Sequence, residues 1–101
     1  DRRVSTDDYQ VEMPSEFKVA QNYPNPFNPS TIIGFELPTE GNVSVKVFNA
    51  LGQLVDVIKD GHMAAGKQAV TWNANSCSNG VYFYEVSYKG NRVVNRMVLM
   101  K

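Results

Sequence analysis

At 101 residues and 43% hydrophobic, the chain is long enough for one small domain with a single core. The formal charge is zero but uneven: residues 1–16 carry five acids against two arginines, residues 17–101 five acids against eight Lys/Arg. The resulting +3 of the larger part is dispersed singly, with no basic run able to neutralise a row of phosphates, which excludes a nucleic-acid partner. One cysteine, Cys77, excludes an internal disulfide, and no apolar run approaches the ~20 residues of a membrane helix.

Residues 1–16, DRRVSTDDYQVEMPSE, are mostly polar and lack sustained periodicity, as expected of a linker. A short extended piece around Tyr9–Met13 is the alternative. The chain begins at Asp1 without a methionine or a signal peptide, as expected of a piece of a longer protein. From Phe17 onward, short runs rich in Val, Ile, Phe and Tyr are broken by Gly/Asn/Pro clusters every eight to twelve residues. That spacing predicts an all-β, immunoglobulin-like antiparallel sandwich of about seven strands, near 17–21, 31–37, 43–49, 53–59, 67–73, 80–88 and 92–100.

Between the first two strands lies QNYPNPFNPST, in which Pro24, Pro26 and Pro29 alternate with Asn25 and Asn28 and frame Tyr23 and Phe27. Each proline removes an N–H and fixes φ, so regular structure is excluded. Two aromatics there either grip a partner or plug the end of the domain. The expectation is the second, with both rings buried.

Ile33, Phe35 and Leu37 alternate with Gly34 and Glu36, and Val43, Val45 and Val47 with Ser44 and Lys46. Period two with one polar face predicts sheets packed on one side. Gly41-Asn42, Gly52 in Ala50-Leu-Gly-Gln53, and Gly90 in Lys89-Gly-Asn-Arg92 mark the turns, Gly52 in the left-handed position. Trp72 lies on the alternating face of its strand and is assigned to the core. Tyr82, Tyr84, Val86 and Tyr88 share one face of the next strand, Val81 and Phe83 the other. An exposed tyrosine row would stack on sugar rings; the reading preferred here is that one face is core and the other half-covered by the proline loop.

Catalytic chemistry has little to build on. His62 sits in a Gly-rich turn, DGHMAAG, near Asp60 and without a second ligand at metal spacing. Cys77 lies in NANSCSNG with no adjacent basic residue to lower its pKa. There is no phosphate-binding or calcium-binding loop pattern, and Asn42-Val-Ser44 is a sequon of a kind common by chance. The sequence therefore predicts no enzyme, no cofactor and no small-molecule substrate.

The stretches QNYPNPFNPSTIIGFELP, VSVKVFNALGQLV, GHMAAGKQAVTW, SNGVYFYEV and VVNRMVLMK, in that order over about residues 17–101, resemble the type A C-terminal sorting domain of type IX secretion, the Por secretion system family of Bacteroidetes and relatives. Asn79 stands where serine is frequent, and Arg96 where lysine is frequent. The resemblance implies an address label: residues 17–101 as sorting domain, residues 1–16 joining it to a covalently linked upstream cargo. It implies passage through the periplasm, recognition by the outer-membrane type IX machinery, and secretion or surface display. A sortase-like peptidase would cut within about residues 1–18. The structural motif would comprise Tyr23, Pro24, Asn25, Pro26, Phe27, Asn28, Pro29, Gly52, Gly66, Trp72, Gly80 and Tyr82. The signal itself is expected in the last strand, in Arg96, Met97, Val98, Leu99 and Lys101, because a terminal strand is readable by backbone pairing without unfolding the rest. The rival expectations are a carbohydrate-binding or adhesive module and a structural spacer.

Overall fold

The computed structural model describes residues 16–101. Seven strands follow in order: β1 (Lys18–Val19), β2 (Ser30–Leu37), β3 (Gly41–Asn49), β4 (Leu54–Met63), β5 (Gly66–Asn73), β6 (Gly80–Tyr88) and β7 (Asn91–Leu99). They form two antiparallel sheets, β1-β2-β5 and β4-β3-β6-β7. The all-β, immunoglobulin-like sandwich expected from the strand spacing is thus the fold of the described residues.

The core follows directly from the alternation. Ile33, Phe35 and Leu37 of β2 face Val43, Val45 and Val47 of β3, with Tyr84, Val86, Met97 and Leu99 from β6 and β7. Each such side chain removed from water contributes about 1.5–3 kcal/mol. The intervening residues, among them Glu36, Ser44, Lys46 and Glu85, are not buried.

β4 departs from simple alternation. Val45 pairs with Lys59 and Lys46 with Val57, leaving Ile58 as an extra residue; Val47 pairs with Asp56 and Phe48 with Leu54, leaving Val55 as another. The bulges turn Ile58 onto the core while Leu54, Val55 and Val57 stay exposed. The strand also runs on through Asp60-Gly-His-Met63, where the sequence suggested a turn. Its backbone partners there are Gly41–Ser44 of β3, so ladder bonding outweighs the weak strand preference of Asp and Gly.

Candidate functional site

The proline loop sits at the seam between the two sheets, on the open side of β7. Phe27 N–H donates to Val98 O (3.0 Å) and Met100 N–H to Phe27 O (3.0 Å). Asn25 Oδ1 accepts from Val98 N–H (3.0 Å), and Gln21 Nε2 donates to Arg96 O (2.8 Å). The loop therefore supplies bonding partners to the second half of the last strand. Pro24, Pro26, Asn28 and Pro29 shape its course, with cis bonds at Tyr23–Pro24, Asn25–Pro26 and Asn28–Pro29.

The two aromatics part company. Phe27 is 1% exposed, its ring centroid 5.8 Å from that of Trp72, and it fills the end of the core as expected. Tyr23 is 77% exposed, against the expectation of burial. The reason is strand parity. Tyr23 N–H donates to Ile32 O and Ile32 N–H to Tyr23 O, both at 2.9 Å, so Tyr23 lies beside an outward-facing residue of β2. The three-proline segment makes two isolated bridges, Tyr23 beside outward-facing Ile32 and Phe27 beside buried Leu99, and the pair decides which ring is buried.

Asn22, 2% exposed, anchors the loop from its other face. Its backbone N–H donates to Tyr84 Oη (2.9 Å), and its Nδ2 to Thr31 Oγ1 (2.9 Å) and Pro24 O (3.2 Å). Tyr84 Oη in turn donates to Ala20 O (2.7 Å) and accepts from Asn95 Nδ2 (3.1 Å). Burial pushes the Tyr84 phenol above its ordinary 10.0, against the hydrogen bonds from Asn95 and Asn22, which pull it down. This hub was not singled out from sequence. The signal was available: Thr31 shares the inward parity of Ile33 and Phe35, and a buried hydroxyl requires a partner.

Trp72 is 2% exposed, edge-on to Tyr82 at 5.5 Å, and its indole N–H donates to Asp56 Oδ2 (3.0 Å). Tyr82, Tyr84 and Tyr88 all face inward, at 8%, 0% and 3% exposure. Their burial removes the flat aromatic platform on which the sugar-binding alternative depended. Gly52, Gly66 and Gly80 stand at the strand connections with positive φ.

The expected signal residues divide in the same way. Met97 and Leu99 are fully buried, whereas Arg96 and Lys101 are exposed and Val98 is half-buried on the outer face. Lys101 is held by two bonds, its N–H to Asn79 Oδ1 (2.8 Å) and its Nζ to Asn75 O (3.1 Å). The edge that was to present the signal by backbone pairing is, from Arg96 O to Met100 N, already occupied by the proline loop.

Elsewhere, His62 Nε2 lies 2.9 Å from Glu40 Oε1, and both side chains are largely exposed. Cys77 is half-buried. Among the described residues no three His, Cys, Asp or Glu side chains come together as a metal site.

A small sandwich whose last strand is clamped by its own N-terminal loop, with charged side chains displayed along that strand, has the make-up of a recognition module. The secretion system C-terminal sorting domain family matches residues 21–100, and the chain belongs to that family. It is a C-terminal type IX secretion signal domain: it engages that secretion system and marks its protein for the cell surface or the exterior. The family's role is sorting rather than catalysis. Among solved structures, dimeric latent PorU from Porphyromonas gingivalis is similar, with 19% identity and a TM-score of 0.65 over 83% of this chain and 9% of that chain. That likeness supports the fold. The alkylpurine DNA glycosylase AlkC of Pseudomonas fluorescens, bound to DNA with an abasic site analogue, matches more loosely, with 16% identity and a TM-score of 0.44 over 85% of this chain and 31% of that chain. No curated protein matches.

Proposed function

We propose that residues 17–101 are a folded address label read by the outer-membrane type IX machinery on the outward side chains of the final strand. Residues 1–16 link the label to a covalently attached upstream cargo, which crosses the periplasm before it is sorted. A sortase-like peptidase cuts within residues 1–18, releasing the cargo or passing it to the cell surface. The domain performs no catalysis of its own and needs no cofactor.

The observation that carries this reading is the division of labour in Arg96–Lys101. Buried Met97 and Leu99 fix the strand to the core, while Arg96, Val98 and Lys101 remain outside with Met100, which is 59% exposed. Two cations bracketing an apolar pair on a fixed strand form a rigid, chemically distinct mark. Recognition through side chains also fits an edge whose backbone is bonded to the proline loop.

Removing residues 97–101 is a poor test, because it takes Met97 and Leu99 out of the core. Arg96→Ala with Lys101→Ala alters exposed side chains alone. With residues 1–101 fused to an exported fluorescent cargo in a type IX-competent host, the wild-type label should place the cargo outside the cell. The double variant should hold it in the periplasm with an unchanged circular dichroism spectrum. Secretion at the wild-type level by the folded double variant overturns the assignment of the signal; failure of the wild-type fusion to leave the cell favours a spacer.

A further inference from the structure

The outer face of the larger sheet changes character along its length. Residues paired across an antiparallel ladder share a face. Reading β4, β3, β6 and β7 in turn, Asp60, Ser44, Ser87 and Arg92 make a polar row. The next outward row is Val57, Lys46, Glu85 and Val94, and the one after it Leu54, Phe48, Phe83 and Arg96. Beyond that, Val81 pairs with Val98. Phe48, Phe83, Val81 and Val98 neither belong to the core cluster nor pack against it, so they stand on the outside. Leu54 is 55%, Val94 50% and Val57 43% exposed. A contiguous apolar face outside the core marks an interaction surface.

Size and charge select its occupant. Four strands about 4.8 Å apart, crossed by rows about 7 Å apart, make a face of roughly 15 Å on a side, on the order of 200 Å². A stable dimer buries about 800 Å² per partner, so a second copy finds too little surface here. Lys46 and Arg96 are set into the apolar rows, and the carboxylate among them, Glu85, meets Arg92 at 3.4 Å. Two such faces would press like charges together, whereas carboxylates beside apolar side chains would complement both cations. A lipid surface fits less well. Phe48 and Phe83 are half-buried in the plane of the sheet and do not project the 5–10 Å (about one ring length) by which interfacial segments enter a bilayer.

We propose that this outer face, from Leu54 through Phe48 and Phe83 to Arg96, docks a segment of the type IX machinery whose apolar side chains are flanked by carboxylates. The docking rests on the sorting reading and deepens it. Arg96 and Val98 become one border of a surface that crosses all four strands, not the whole of the mark.

The test is binding of the chain of residues 1–101 to detergent-solubilised type IX outer-membrane complexes purified from a competent host. Leu54→Glu and Val57→Glu, made separately, alter exposed side chains two strands away from β7 and bring a carboxylate to a partner that carries its own. Each should weaken binding about tenfold or more with an unchanged circular dichroism spectrum. Ile32→Glu, at a residue 49% exposed on the smaller sheet, should bind within about twofold of the parent. Hydroxyl-radical labelling of the wild-type chain gives a reading that needs no variant. Oxidation of Leu54 and Phe83 should fall severalfold in the complex, while that of Tyr23 and Ile32 should not change.

Full binding by the folded Leu54→Glu and Val57→Glu variants overturns the proposal, as does unchanged labelling of Leu54 and Phe83. If Arg96→Ala with Lys101→Ala abolishes binding in that case, the sorting mark on β7 stands and only its extension across the sheet falls. A wild-type chain that ignores the complexes removes both readings. Equal protection of Leu54 and Phe83 by anionic phospholipid vesicles, or by raising the concentration of the chain alone, also overturns the proposal, since the occupant is then a membrane or a second copy.

Discussion

Trp72 joins three parts of the domain. It touches Phe27 of the loop and Tyr82 of the opposite sheet, and it donates to Asp56 of β4. Trp72→Ala should cost about 3–5 kcal/mol in a urea melt. The total is roughly 4–12 kcal/mol for a folded unit of this size, so the variant should be largely unfolded when warm. The proline loop offers a paired contrast. Phe27→Ala should cost a comparable amount, whereas Tyr23→Ala should change stability by less than about 0.5 kcal/mol, because the Tyr23 ring faces water. Equal losses from the two would mean that the Tyr23 ring packs. Tyr84 adds a pH dependence. Its folded pKa is raised, chiefly by burial, so above the ordinary value of 10.0 the folded state holds a proton that the unfolded state has lost. The stability contributed by this group is fully present below that value and declines as pH rises through the higher folded pKa. Tyr84→Phe should be less stable at neutral pH by about 1–3 kcal/mol, with Asn22 N–H orphaned. Its melts between neutral and strongly alkaline pH should show a shallower fall than the parent's, and an equal slope would remove Tyr84 as a source.

Strands and their turns respond to glycine in opposite ways. Gly52, at φ 82°, turns β3 into β4 with nothing within 4 Å of where a Cβ would stand, and Asn49 Oδ1 accepts from Leu51 N–H and Gln53 N–H around it. Gly52→Ala meets no neighbour, so its cost is the left-handed backbone alone, about 1–2 kcal/mol. Gly34 lies inside β2 with ordinary backbone geometry, and an added Cβ would meet Gln68 O at a comfortable 3.8 Å. Gly34→Ala should therefore be neutral or stabilising by up to about 1 kcal/mol. Thermal melts of the two variants should move apart, and a shift in the same direction would contradict this account of the β3–β4 turn. The strands themselves were legible in sequence because one-sided burial imposes period two: Val43, Val45 and Val47, or Tyr82, Tyr84 and Val86, declare their face without a structure. Less legible was anything set by pairing across the sheet. The bulges at Val55 and Ile58, the extension of β4 to Met63, and the outward turn of Tyr23 each depend on the register of a partner strand. The five signal residues were assigned together as one readable strand, but alternation divides them between core and surface.

At the scale of the whole molecule, neither sheet has a hydrophobic core of its own. The smaller contributes Ile33, Phe35, Leu37 and Trp72, the larger its valines, tyrosines, Met97 and Leu99, and these form one cluster. The connections that tie the sheets run through side chains at both ends: Trp72 to Asp56 at one seam, and Asn22, Ala20 and Asn95 around Tyr84 Oη at the other. A label that must stay folded while attached to varied cargo gains from such sharing, since no part can open without exposing the core of the other. Unfolding should then be a single cooperative transition. Trp72 fluorescence reports the smaller sheet and its contact with Tyr82, while far-UV circular dichroism reports all seven strands. In urea, the two curves should superpose with one midpoint and one slope. An early fluorescence transition, with most of the β signal retained, would mean that the three-stranded sheet and the proline loop detach first. The second half of β7 would then be uncovered in a partly folded state, and recognition of Arg96–Lys101 would require opening of the loop rather than a fixed display of side chains.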